Sequence, residues 1–339
     1  LVTGHSLPEL VGARLGRAPR LLYWAQAELV AGATDLAEVI GGAVALHILF
    51  GVPLPIGGLI VGLVSMALLS VQSRHGQRPF EFVVMGLLAV ITLGFGAGLL
   101  FSPVDWGGAA GGLVPRFEGT QTVLLAASML GATVMPHAIY LHSSVARDRH
   151  GLHTGDSLRR LLRTTRWDVL LSLLVAGTVN IAMLLLAASS LSGVAGTDSI
   201  EGAHAAISSA MGPAIGLIFG IGLLASGLAS TSVGCYAGAA IMSGLLKVRI
   251  PLLVRRAVTL VPALILLIVG VDPTWALVIS QVLLSIGIPF AVIPLVKLTS
   301  DPTLMGTSAN SLRVRVVAWI VVTAIVTLNV ALLGLTLAG

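Results

Sequence analysis

Met135, Pro136 and His137 sit in the middle of an apolar run, 121–145, long enough to cross a bilayer, for which about 20 residues suffice. A proline at that depth removes a backbone donor and crowds the preceding turn, so the carbonyls of Ala132 and Thr133 lose regular helical partners. Unpaired backbone inside a membrane is tolerated where it lines a cavity or is buried in protein. Secondary transporters use such breaks to present carbonyls and helix ends to a bound ion. Met135 lies three residues beyond Ala132, so a thioether and a freed carbonyl can face one point. Elsewhere in a helix the same methionine would read as core filler.

A second group of reactive side chains lies on the first span: Glu28, Asp35 and Glu38. At about 100° per residue, Glu28 and Asp35 share a face two turns apart, and Glu38 follows Asp35 by one turn. An acid at a helix centre costs about 2.5–3.5 kcal/mol to insert, so three on one helix require water, partners or protons. Glu28 fits either a water-exposed helix end or that polar group. Asp35 and Glu38, flanked by apolar sequence, fit a water-linked functional role. The candidate cations are Arg255 and Arg256, of which one can snorkel to the headgroups and one can turn inward to Asp35 or Glu38. Gln281 and Asn180 are polar amides in mid-span, open to interhelical hydrogen bonding or, for Asn180, to plain packing.

The elements that hold these groups follow from composition. The chain of 339 residues is 56% hydrophobic and 10% charged, against about 25% charged in soluble domains, so it is an integral membrane protein. Continuous apolar runs exclude the alternating strands of a barrel, and forty glycines suit closely packed helices. The only cysteine, Cys235, excludes an internal disulfide. Spans are expected at roughly 21–50, 54–73, 79–101, 121–145, 167–191, 212–245, 252–271, 273–296 and 315–338, giving nine crossings in one domain, 1–339. A short external helix is expected near 201–210; the basic cytoplasmic loop at 146–166 can carry another or simply hold topology.

Charge orients them. Arg14, Arg17 and Arg20, then Arg74 and Arg78, the six arginines between 147 and 166, Lys247, Arg249, Arg255 and Arg256, and finally Lys297, Arg313 and Arg315 fall on one side. Only Arg116 falls on the other, among Asp105, Glu118, Asp198, Glu201 and Asp272. The basic side is then cytoplasmic, in a cell inner (plasma) membrane, and the C-terminus lies outside. The net charge of +5 is topological and does not point to nucleic acid.

At these residues the chain resembles the Nramp family of divalent-metal transporters, in its bacterial manganese branch. The resemblance rests on Glu28-Leu-Val-Ala-Gly-Ala-Thr-Asp-Leu-Ala-Glu38, Met135-Pro-His-Ala-Ile-Tyr-Leu-His-Ser143, Leu224-Ala-Ser-Gly-Leu-Ala-Ser-Thr231 and Ser280-Gln-Val-Leu-Leu-Ser285. It implies an all-α, inverted-repeat fold like that of amino-acid symporters. The nine spans resemble the third to eleventh of an expected eleven helices, with 121–145 as the broken sixth. It implies metal ligation by Met135 sulfur, Ala132 carbonyl and Gln281, and proton movement through Asp35, Glu38, Arg256, Glu28 and His137. His142 and Asn180 are further candidates for supporting or gating the site. No permanent cofactor is implied; Mn²⁺ or Fe²⁺ and H⁺ are cargo. The family's first-helix Asp-Pro-Gly-Asn motif, which supplies two more ligands, does not occur in this sequence. The natural N-terminus and two helices are therefore expected to lie outside it.

Three other readings are open. An intramembrane metalloenzyme using His137 and His142 is disfavoured, because a spacing of five residues separates the two faces widely and there is no His-Glu-x-x-His. An organic-solute symporter of the same fold would gain nothing from a thioether. A truncated, non-transporting relative would retain the motifs without the activity.

Overall fold

A computed structural model describes residues 1–75, 77–100, 104–114, 116–117, 119–248 and 250–338. Their helices, in chain order, are α1 (Leu7–Arg14), α2 (Arg17–Phe50), α3 (Leu54–His75), α4 (Gln77–Leu100), α5 (Trp106–Gly111), α6 (Gly119–Thr133), α7 (Pro136–His150), α8 (Gly155–Ser190), α9 (Ile200–Met211), α10 (Pro213–Leu246), α11 (Leu252–Val269), α12 (Pro273–Thr299), α13 (Pro302–Met305) and α14 (Leu312–Ala338). No strand occurs among the described residues. Glu118 and Arg249 lie outside the described residues, as do the side chains of Arg74 and Arg78.

Each expected span contains a helix. Seven are long and apolar enough to cross a membrane on their own, with α6 and α7 counted as one broken span. The described apolar parts of α3 and α4, Leu54–Ser70 and Glu81–Leu93, are shorter. The external helix near 201–210 is α9. Of the two readings of 146–166 the helical one holds: α7 continues to His150 and α8 begins at Gly155, so the arginines from 159 to 166 ride on helix. Arginine and leucine are good helix formers, so nothing in that stretch stops the helix once it leaves the apolar core.

The ends are set by local chemistry. Gly51 and Gly270 close α2 and α11 with φ of 68° and 79°, left-handed geometry that favours glycine. Asp272 opens α12 by accepting the Trp275 amide at 2.6 Å, with Pro273 in the first turn.

Helix α2 runs through the middle, packed on α3, α7, α10, α11 and α12. Of its most apolar window 72% is buried, against 11% for α8, which lies at the periphery. The contact between α2 and α10 is the most extensive in the molecule. It is close because Gly227 lies on the backbone of Glu38 and Gly42, where a methyl would approach within 3.0 Å. Two apolar clusters fill the halves of α2. Val39, Ile40, Ala43 and Val44 meet Leu260, Ala263 and Leu267 of α11. Toward the other end, Ala27 joins Tyr140, Ile241, Leu245 and Ala291. Thr34 and Asp35 are buried between these clusters.

Candidate functional site

Helix α6 stops at Thr133 and α7 starts at Pro136, so Val134 and Met135 form the break read from the sequence. Met135 is extended, with φ −84° and ψ 114°. The Val134 amide still reaches the Leu130 carbonyl at 2.9 Å, and the Ala138 amide reaches that of Met135 at 3.1 Å. The partner that Ala132 would have one turn on is Pro136, which has no N–H. Among the described residues nothing else donates to the Ala132 carbonyl, and Ala132 is exposed. Met135 is half-buried beside it.

Helix α12 closes one wall of the break. Gly131 rests on the backbone of Gln281 so closely that a methyl group would overlap the Gln281 carbonyl. This approach requires glycine and brings Gln281 to the end of α6. The Gln281 amide nitrogen donates to Ser280 Oγ at 3.3 Å, while its Oε1 is buried without a partner among the described residues. Carbonyl, thioether and amide oxygen are neutral donors. No group of three or more His, Cys, Asp or Glu able to hold a metal occurs among the described residues.

Two other prolines break the α12 ladder, and their freed carbonyls fare differently. Pro289 frees the carbonyl of Ser285, which accepts from Asn329 Nδ2 of α14 at 3.1 Å, while Ser285 Oγ donates to Asn329 Oδ1 at 3.0 Å. Pro294 frees the carbonyl of Phe290, which accepts from the hydroxyl of Tyr23, with the Tyr140 hydroxyl 3.2 Å away. The two hydroxyls also share a hydrogen bond of 2.5 Å, and the rings meet edge to face. This clamp ties α2, α7 and α12 together. Sequence reading missed Tyr23, Tyr140 and Asn329. The available signal was the residue four before each proline, which marks an orphaned acceptor in need of a donor.

The acids of α2 are gathered into a second centre. Both arginines of α11 are buried, so neither snorkels. Arg255 forks onto Glu28, with Nη1 and Nη2 donating to the two carboxylate oxygens at 3.2 and 2.5 Å. Arg256, which is 0% exposed, donates through Nη1 to Asp35 Oδ1 and through Nε to Ser65 Oγ at 2.6 Å. Adjacent arginines point in different directions, so one pair can reach acids two turns apart. Glu28 is therefore an ion-pair partner and not a helix end in water. Asp35 Oδ2 and Arg256 Nη2 are buried without partners among the described residues. Glu38 is half-buried one turn on, beside the Ser230 hydroxyl.

His137 joins the two centres. It is buried two residues past Met135, and its Nδ1 lies 3.3 Å from the hydroxyl of Thr34, the neighbour of Asp35. Thr34 in turn donates to the Val30 carbonyl at 3.1 Å. The other two candidates are not brought in. His142 lies on the exposed side of α7, as its five-residue offset from His137 dictates, and Asn180 is exposed on peripheral α8. Neither is buried with the break or the acids in this conformation.

The sequence model of the family described as natural resistance-associated macrophage protein-like matches residues 1–335. The chain is 58% identical over 340 residues to the divalent metal cation transporter MntH of Mycobacterium tuberculosis strain H37Rv, covering 100% of this chain and 79% of that protein. It is 54% identical over 337 residues to that of Mycobacterium leprae, covering 99% and 79%. Its structure matches a crystal structure of an Eremococcus coleocola manganese transporter variant with a TM-score of 0.83, 30% identity, and coverage of 95% of this chain and 73% of that one. The same transporter in complex with an aromatic bis-isothiourea substituted compound matches with a TM-score of 0.83 and 31% identity, covering 95% and 73%.

Proposed function

We propose that this chain, which belongs to the natural resistance-associated macrophage protein family of divalent-metal transporters, imports Mn²⁺, Fe²⁺ and similar ions together with protons by alternating access. Metal transport, and not enzymatic chemistry, is the business of the family. The observation that carries the finer reading is the Ala132 carbonyl, left open three residues before Met135 while the freed carbonyls of α12 are both recaptured. An acceptor without a donor at bilayer depth is stabilised by a cation in its place. The sulfur makes that cation a transition metal, because Mg²⁺ and Ca²⁺ prefer all-oxygen shells.

The proton's part is assigned to Asp35, backed by Arg256, with Glu38 one turn beyond. One Asp35 oxygen is held by the guanidinium and the other is free to accept a proton. The Thr34–His137 contact gives the metal centre a route by which α7 movement can reach that carboxylate. The two paths are adjacent and separate. The positive-inside rule supports basic helix ends in the cytoplasm, a cell-membrane location and a C-terminus outside.

Reconstitution in liposomes, with a pH dye and metal flux read together, tests both parts. Met135→Ala should keep part of its Mn²⁺ flux and lose discrimination against Ca²⁺ by about tenfold, the equivalent of one weak ligand. Unchanged discrimination would reduce Met135 to packing. Asp35→Asn should lower proton flux more than metal binding; equal loss of both would make Asp35 a structural residue.

A further inference from the structure

At the basic end of the molecule a cleft of about 590 Å³ separates the start of α8 from the segment leading into α14. Arg159, Arg163 and Arg166 line one wall at spacings of four and three residues, which places them on one stripe of α8. Arg159 has a partner, Asp156 at 3.6 Å, and both are largely in solvent. Arg163 and Arg166 have no carboxylate partner among the described residues. The facing wall carries the hydroxyls of Ser308 and Ser311, the latter at the amide end of α14. The floor is apolar, with Leu162 and Val314.

This cationic cleft stands at a membrane boundary. Trp167 follows Arg166 directly, and Trp319 lies one turn beyond Arg315; both are exposed, as in the aromatic belt where rings meet the headgroup layer. Beyond Trp167, α8 presents Leu170, Leu171, Leu173 and Leu174 to the outside. A phosphate drawn to the arginines would therefore have a hydrocarbon-facing wall directly beneath it. Soluble anions have no use for that wall, but a phospholipid does.

We propose that the cleft between α8 and α14 is a binding site for an anionic phospholipid, its phosphate held by Arg163 and Arg166 with the Ser308 and Ser311 hydroxyls, and its acyl chains along α8. Basic pockets between spanning helices hold anionic headgroups in this manner, by charge and by hydrogen bonds from the guanidinium fork. The site is remote from the break and stands independently of the transport reading. It would couple lipid composition to the helix pair flanking the transporter's periphery.

The full chain in nanodiscs of phosphatidylcholine with graded phosphatidylglycerol, read by native mass spectrometry for retained lipid, tests this. Arg163→Gln/Arg166→Gln should cut retention of phosphatidylglycerol by about fivefold per arginine. Arg160→Gln/Arg313→Gln removes the same charge from the same end outside the cleft and should change retention little. Equal loss in both double variants would assign the effect to diffuse surface charge and overturn the site. So would equal retention of phosphatidylcholine and phosphatidylglycerol by the unmodified chain. Displacement of the lipid by inorganic phosphate alone would make the cleft a soluble-anion site and overturn the lipid assignment.

Discussion

The break between α6 and α7 and the two kinks of α12 begin from the same covalent event and end in opposite states. Pro136, Pro289 and Pro294 each remove the donor that the carbonyl four residues earlier would have used. In α12 both acceptors are recaptured, by Asn329 from α14 and by the tyrosines from α2 and α7, and the helix stays continuous from Pro273 to Thr299. In the other case the helix parts, and the Ala132 carbonyl has no donor among the described residues. At these three prolines the outcome follows whether a packed neighbour brings a donor. The proline itself is common to both. Where α12 meets the break, the Gln281 backbone lies against Gly131, and the Gln281 side-chain oxygen is buried without a partner among the described residues.

This contrast can be broken most severely by Pro136→Ala. Restoring the amide lets the helix close on the Ala132 carbonyl, and metal flux should fall by about 10- to 100-fold, the worth of one desolvated acceptor. The variant should be folded and no less heat-stable than the parent, which thermal scanning in detergent would report. Flux unchanged within twofold would show that the carbonyl is not used.

A smaller effect belongs to the recaptured carbonyls. Asn329→Leu should cost about 1–2 kcal/mol, since it orphans the Ser285 carbonyl and hydroxyl together. In a Pro289→Ala background the ladder reclaims that carbonyl, so the same substitution should cost clearly less. A double-mutant cycle with no coupling would sever Asn329 from Pro289. The smallest expected effect is that of Tyr140→Phe, about 0.6 kcal/mol, because Tyr23 still reaches the Phe290 carbonyl. A much larger loss of stability would mean that the tyrosine pair is a single unit.

Local covalent chemistry made several features legible from residues alone. The proline in an apolar run located the break to within two residues, the seven-residue spacing placed Glu28 and Asp35 on one face, and the five-residue spacing separated His137 from His142. These depend only on the missing N–H and on 100° per residue, so no partner is needed to read them. The pairing of Arg255 with Glu28 and of Arg256 with Asp35 was open in the sequence, because an arginine's long side chain can reach water or the interior. Packing of α11 against α2 decided it by burying both. The positions of Asn329, Tyr23 and Tyr140 over the α12 carbonyls, of His137 on Thr34, and of Asn180 out on α8 were likewise decided by the tertiary structure. A freed carbonyl is a property of its own strand of chain, whereas the group that answers it, or fails to, arrives from helices far away in sequence.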